Sequence, residues 1–446
     1  MLVAVAGPHV AGGRVEWWFD PPLGGGGVAL LYTGIVALSV AWLALGRVEI
    51  TTRQLRIVGA TWCLPLLLTA PLFSQDAYSY LAQGTLVHLG IDPYRHAPAV
   101  LASAGQAHVL GAVDPFWRHT TAPYGPLFLW IVSGIVALAG SHLVLGVILI
   151  RVLDVVGLVL LAVFAPRLAC SLGADPARAT WWVLLCPLVL LELVAPAHND
   201  LLMIGLVVAG VALAIERRLL IGIALCALAA TIKLPAAAAI PFILVACGGR
   251  RTWFSGVLVA VGVALAVSVI TGLGLGWIST TVFSTPDKVR LAITPATALG
   301  WSVAQLIPIG ARGLESALGV AAFGLSLGLL AVLLWRSRRE NMVRNLGIAL
   351  IAVAVCGPAA WPWYLTWGLV LLAACPGIQR SWALALAVVA SAVVVKADGV
   401  LAFPLRLAPV FVVLYLAVAV VVAVVVSRRR TPVAAGRLRP RALAES

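Results

Sequence analysis

Charged side chains are what this chain has least of. Asp, Glu, Lys and Arg make up 10% of its 446 residues, where soluble domains carry about 25%, so a water-facing globular surface is excluded. Acid is the scarcer sign, with 16 Asp and Glu against 30 Lys and Arg, a net charge of +14. No hydrophilic block is long enough for a soluble core of its own, which favours one bundle over several domains. Cysteine is sparse and unpatterned. Cys63, Cys170, Cys186, Cys226, Cys247, Cys356 and Cys375 include no CxxC pair, and none falls in a loop placed outside below; disulfides and a cysteine metal site are both disfavoured. There is no GxGxxG or P-loop in strand context, no HExxH and no GxSxG, so nucleotide chemistry on the cytoplasmic side has no motif to rest on. The opening MLVAVAGPHVAGGRVEWWFD has no basic stretch ahead of an apolar core, so no cleaved signal peptide is expected.

What is present is apolar. Hydrophobic residues make up 62% of the chain and the mean hydropathy is +1.08. Apolar runs fall near 27–45, 57–73, 143–165, 179–195, 200–215, 219–232, 235–247, 252–271, 314–335, 345–358, 361–375, 381–396 and 405–427. Their lengths suit helices rather than barrel strands, and they amount to about thirteen spans. The predicted fold is all-α, a polytopic membrane helix bundle. Its partner is the lipid bilayer; the positive charge is a topology signal, not a sign of nucleic acid.

Arginines cluster between alternate runs: Arg47, Arg53 and Arg56; Arg167 and Arg178; Arg217 and Arg218; Arg250 and Arg251; Arg336, Arg338, Arg339 and Arg344; and Arg428 to Arg430. Positive charge stays on the cytoplasmic side, so the N-terminus lies outside and the C-terminus inside. Residues 125–140 are apolar enough to span, but counting them would put Arg167 and Arg178 outside. They are therefore read as an outer-face or re-entrant helix packed on protein. The organisation is then an outer N-terminal segment, 1–26, and a transmembrane domain, 27–427. That domain has a first outer loop, 74–142, and a second, 273–313. A basic tail, 428–446, rich in Pro, Ala and Gly, is expected to be disordered and to rest on anionic lipid heads.

With this topology the unusual polar residues gather on one face, which reads as a binding or reaction site. Asp76 begins a helical stretch at the outer end of a span. It serves either as a helix cap or as a half-desolvated carboxylate, raised in basicity and suited to general-base work. Tyr80 and Gln83 follow at i+4 and i+7, on the same helix face; an interfacial tyrosine belt is the plainer reading of the tyrosine. Asp92, in Gly90-Ile91-Asp92-Pro93-Tyr94, is a turn residue first and a sugar or metal ligand second. Arg118 lies outside against the charge trend, close to Tyr124, and is either a snorkelling arginine or a phosphate ligand. His198-Asn199-Asp200 precedes an apolar run, and caps a helix or offers an anion site with His198 as donor. Lys233 has no acid near it in sequence; an ammonium at bilayer depth costs about 2.5–3.5 kcal/mol, which favours an anion ligand. Glu192 is placed to face the same cavity as His198. Arg151 and Asp154, three apart in one run, suggest an internal ion pair. Asp287, Lys288 and Arg290 form a polar outer loop, and the tryptophans at 361–367 read as belt residues.

The stretches SQDAYSYLAQG, GIDPY and DPFWRHTTAPYGP, followed by AHNDLLMIGL, ATIKLP and WPWYLTWGL, resemble actinobacterial polyprenol-phosphate-mannose-dependent α-1,6-mannosyltransferases. These are GT-C class membrane glycosyltransferases of lipomannan and lipoarabinomannan synthesis. The likeness runs in order from about residue 70 to 370. One departure is His119, where the family pattern has an acidic residue after Trp-Arg. The resemblance implies a GT-C bundle whose first outer loop carries the base, Asp76. It implies a polyprenyl-phosphomannose donor, a mannan glycolipid acceptor, inversion to an α-mannoside, and an active site on the outer face of the plasma membrane. Lys233, Arg118 and His198 would hold the donor phosphate; Tyr80, Gln83, Asp92, Tyr124, Asn199 and Asp200 would line the substrate. No cofactor is expected; a divalent metal between Asp76 and Asp92 is not favoured for want of a clear carboxylate pair. The rival readings are the same chemistry on another polyprenyl-phosphate sugar, such as decaprenyl-phospho-arabinose, and a transporter of polyprenol-linked sugar.

Overall fold

The computed structural model describes residues 1–12, 14–18, 23, 25–281, 294–307, 311–357, 360–399, 407–414 and 416. The tail 428–446, most of the run 405–427, and Asp287, Lys288 and Arg290 lie outside the described residues. Helices supply the regular structure, and no β-strand forms among the described residues. Each apolar run up to residue 396 carries a helix close to its predicted bounds. Five helices are long and apolar enough to cross a membrane: Gly26–Leu45, Leu143–Ser171, Pro176–Val194, Arg251–Ile270 and Gly313–Trp335. Several of the other runs form shorter apolar helices, among them Asp200–Ile215, Leu219–Ala230 and Met342–Cys356. Pro126–Ala139, the segment that broke the charge pattern, has 14 residues, below the ~17–25 that cross a bilayer.

Burial separates hub from rim. Pro176–Val194 is 89% buried, against 11% for Arg251–Ile270 and 6% for Gly313–Trp335. The central segment is also the irregular one. Asp175 caps it, its side chain accepting from the backbone of Ala177 and Arg178. The helix stops at Leu184, restarts at Pro187 and relaxes into a π-turn over Leu190–Val194. Such turns recur at functional sites. The next helix, Asp200–Ile215, lies against Leu143–Ser171 backbone to backbone. A methyl group on Gly157 would sit 2.4 Å from the carbonyl oxygen of Leu201, so glycine sets this spacing.

Arg151 and Asp154 do not form the predicted ion pair. Arg151 donates instead to the carbonyls of Leu67 (2.9 Å), Thr69 (2.5 Å) and Ala195 (2.9 Å). Two of these carbonyls belong to the end of the Thr52–Leu68 helix and the residue after it, and one to the end of the π-turn, where helical donors run out. The guanidinium thus clamps two helix ends together. Both Asp154 carboxylate oxygens are buried without a protein partner.

Candidate active site

Two backbone kinks prepare the site. Phe73 and Ala197 both adopt left-handed conformations, φ 63° each, which cost a side-chain-bearing residue roughly 1–2 kcal/mol. One precedes Asp76 by three residues and the other immediately precedes His198. Strain of this kind persists only where surrounding contacts over-determine it. Here the Leu72 amide donates to Ala195 O and the Phe73 amide to Ala397 O at 3.0 Å. These contacts bring the start of the Asp76–His88 helix onto the His198 loop. Asp76 is the first residue of its helix, with Gln75 at the cap position, and its own amide donates to Ser74 Oγ at 3.1 Å. Its carboxylate is therefore not consumed by capping, and Oδ2 lies 3.6 Å from His198 Nε2.

His198 is fully buried. Its Nδ1 is 2.6 Å from the carbonyl of Glu192; a carbonyl only accepts, so Nδ1 carries a proton. Trp363 packs on the ring at 4.4 Å. Nε2 has no hydrogen-bond partner and faces Asp76. A bare lone pair opposite a carboxylate would be repulsive, so a proton on either group would be favoured by the other. Burial raises the Asp76 pKa, an effect that His198 and then Lys233 oppose. Burial lowers the His198 pKa, and Asp76 and then Asp200 oppose that.

Lys233 is not the lone lysine the sequence suggested. Its ammonium binds both oxygens of Asp200, at 2.9 and 2.8 Å, across a separation of 33 residues that sequence proximity could not reveal. Trp367 Nε1 donates to the same carboxylate at 2.6 Å. The ammonium also lies 4.6 Å from the ring centroid of Tyr364, 5.5 Å from Trp367 and 5.9 Å from Tyr124. It thus occupies an aromatic cage of the cation–π kind. The bidentate contact engages two of its three N–H donors, leaving one. Gly125 makes the arrangement possible: its amide donates to Ile232 O and that of Leu127 to Thr231 O. A methyl group on Gly125 would lie 2.1 Å from the Thr231 carbonyl. This backbone pairing holds Tyr124 beside Lys233.

Tyr80 is fully buried, its ring edge-on to Tyr124 and Phe128 at 5.0 Å each. Burial pushes the phenols of Tyr80 and Tyr124 well above their ordinary range, so both stay protonated donors. The belt reading of Tyr80 is overturned by this packing. Gln83 is buried with Oε1 unpartnered, and both side-chain polar atoms of Asn199 are buried and unpartnered. Unpaired buried polar groups are rare in native proteins, and those near a carboxylate and a cation offer places for ligand hydroxyls. Both carboxylate oxygens of Glu192 are also buried and unpartnered, but it is the Glu192 backbone carbonyl that meets His198.

Two predicted site residues stand apart. Asp92 accepts from the Tyr94 amide at 2.8 Å and pairs with Arg95 at 3.4 Å; it is the turn residue its flanking glycine and proline suggest, and no described contact joins it to Asp76. Arg118 donates to Val113 O (3.0 Å) and Gly111 O (3.2 Å). It caps the end of the Ala107–Ala112 helix and makes no described contact with the Asp76 group. Among the described residues no three His, Cys, Asp or Glu side chains are grouped to hold a metal ion. Conversely, the tryptophans read as belt residues belong to the site. Trp361, Trp363 and Trp367 are buried, Trp361 stacks on Trp363 at 4.9 Å and Tyr364 on Trp367 at 4.4 Å. The density of aromatics around Pro362 was the available signal.

Comparison with known proteins bears on what this pocket does. Residues 2–249 match the family model described as alpha-(1->6)-mannopyranosyltransferase, N-terminal domain, and residues 294–428 the model described as MptB C-terminal domain. Alpha-(1->6)-mannopyranosyltransferase A of Mycobacterium tuberculosis is 35% identical over 383 residues, 79% of this chain and 72% of that protein. A probable alpha-(1->6)-mannopyranosyltransferase of Mycolicibacterium smegmatis is 34% identical, over 77% of this chain and 69% of its own. Alpha-(1->6)-mannopyranosyltransferase B of Corynebacterium glutamicum is 27% identical, over 73% and 59%. No solved structure matches.

Proposed function

The chain belongs to the alpha-(1->6)-mannopyranosyltransferase family, and from that premise we propose that it transfers mannose from a polyprenyl-phosphomannose to a growing α-1,6-mannan of the lipomannan and lipoarabinomannan type. The reaction inverts the anomeric centre and takes place on the outer face of the plasma membrane. The observation that carries the reading is the buried Asp76–His198 pair, 3.6 Å apart, with His198 Nδ1 held by the Glu192 carbonyl. In the reactive form His198 is protonated and Asp76 is ionised. Asp76 takes the hydroxyl proton of the acceptor as its oxygen bonds to the anomeric carbon. The carbon–oxygen bond to phosphate breaks, and the electron pair leaves on the polyprenyl phosphate.

Charge develops on that phosphate, and we assign its stabilisation to the remaining Lys233 donor and the neighbouring phenols of Tyr124 and Tyr80. Arg118, which donates to Val113 O and Gly111 O, is not assigned to this step. Asn199 and Gln83 supply unpaired groups for sugar hydroxyls. All these steps use groups of this chain and need no nucleotide.

Transfer of radiolabelled mannose from polyprenyl-phosphomannose to a short α-1,6-mannoside by the purified protein tests the reading. The wild type is expected to react, and Asp76→Asn to lose about 10²–10⁴-fold. Near-normal turnover by a folded Asp76→Asn protein removes Asp76 as base. Failure of the wild type with this donor, and success with decaprenyl-phospho-arabinose, would transfer the mechanism to that sugar. Failure with every donor would favour transport.

A further inference from the structure

A second polar concavity lies at the far end of the helices that build the Asp76 site. The Thr52–Leu68 helix ends eight residues before Asp76 and begins five after Arg47; its 17 residues rise about 26 Å. Pro176–Val194 ends four residues before His198, and Arg178 lies in its first turn. The Thr366–Leu372 helix begins among the cage aromatics and leads on to Gln379 and Arg380. Three separate segments thus deliver Arg47, Arg178 and Arg380 to one cavity of about 230 Å³.

The floor of this cavity is rigid. Gln379 is buried and fully engaged: it accepts from the Asp175 amide at 3.1 Å and donates to the carbonyls of Asp175 (2.8 Å) and Ala373 (2.9 Å). Trp182 Nε1 donates to the Gln379 carbonyl at 3.2 Å. Trp181 stacks on Trp42 at 4.5 Å, each indole donating to the other's backbone carbonyl. On the rim, the Arg47 guanidinium sits 5.0 Å over the ring of Trp382. Among the described residues no carboxylate lies within 4 Å of any of the three guanidinium groups. The Asp175 carboxylate is turned into its own helix N-terminus. Three guanidiniums without a described carboxylate partner, lining a cavity with a fixed floor of Gln379 and indoles, describe a receptor for a compact anion, since the planar guanidinium matches phosphate oxygens bidentately. The indoles at the rim are of the type that settles at the headgroup level of a bilayer.

We propose that this cavity binds a phosphate group, carried by an anionic phospholipid headgroup or free in solution, at the membrane face opposite Asp76. The test uses the full chain in detergent and two short-chain lipids, dioctanoyl-phosphatidylglycerol and dioctanoyl-phosphatidylcholine. The wild type is expected to bind the anionic lipid at least about tenfold more tightly than the zwitterionic one, and Arg47→Gln/Arg178→Gln/Arg380→Gln to lose that preference. Inorganic phosphate is then titrated against bound phosphatidylglycerol. Displacement at concentrations comparable to the lipid identifies free phosphate as the ligand; resistance to it identifies the lipid headgroup. Should the triple variant fail to fold, the exposed Arg47→Gln and Arg380→Gln are read singly, each expected to lose part of the preference. Equal binding of the two lipids by the wild type, or an unchanged preference in the folded variants, overturns the proposal. Mannosyl transfer is not the readout, so the outcome is independent of the reaction assigned to Asp76.

Discussion

At the scale of single residues, the closeness of Asp76 and His198 makes the pH profile the sharpest probe. Burial holds the Asp76 carboxyl above its ordinary range, and a base works only when ionised. Activity should therefore fall as pH drops through that raised value, giving an acid limb of kcat/KM above the usual aspartate region. A protonated His198 favours ionised Asp76, so His198→Gln should move the limb to still higher pH. An imidazole that only fills space would lower the rate without moving the limb. Lys233 makes a different prediction. Lys233→Met strands the fully buried Asp200 carboxylate and should destabilise the protein by roughly 3–5 kcal/mol. Adding Asp200→Asn should recover much of that loss in thermal unfolding while transfer stays impaired. A double variant no more stable than the single one would mean that the pair is not what Lys233 contributes.

At the scale of elements, the site depends on close backbone approaches. Gly125→Ala would push a methyl group into the Thr231 carbonyl and separate Tyr124 from Lys233. Overpacking of this kind costs about 1–3 kcal/mol; the expected result is strongly reduced transfer, a lowered Tm and an unchanged helical circular dichroism spectrum. This dependence also explains how far the sequence could be read. Helices were legible because apolar runs and helix lengths are local properties. Asp76, His198, Asn199, Asp200 and Lys233 were legible because polar groups stand out in so apolar a chain. Their pairing was not, because Asp200 meets Lys233, and Lys233 meets Tyr364, across separations that no local pattern encodes. Asp92 and Arg118 were grouped with Asp76 because they share a loop in sequence, yet a turn and a helix end use their polar atoms locally. The cage aromatics were misread because tryptophan near a span end has a common interfacial explanation, and only burial distinguishes the two.

At the scale of the whole molecule, the proposed outer-face site predicts a fixed orientation. In a Cys170→Ser background, Ser103→Cys in the first outer loop should react with a membrane-impermeant maleimide on intact cells. Glu49→Cys, in the arginine-bearing turn after Gly26–Leu45, should react only after permeabilisation; the reverse pattern would invert the proposed active-site face. The hydrogen bond from Phe73 to Ala397 carries a consequence for biosynthesis. The strained segment that presents Asp76 is braced by a residue made more than three hundred peptide bonds later, and the aromatic cage is completed by Trp367. The ribosome must therefore deliver nearly the entire bundle into the membrane before the carboxylate is seated. Until then the nascent chain lacks the contacts that seat Asp76.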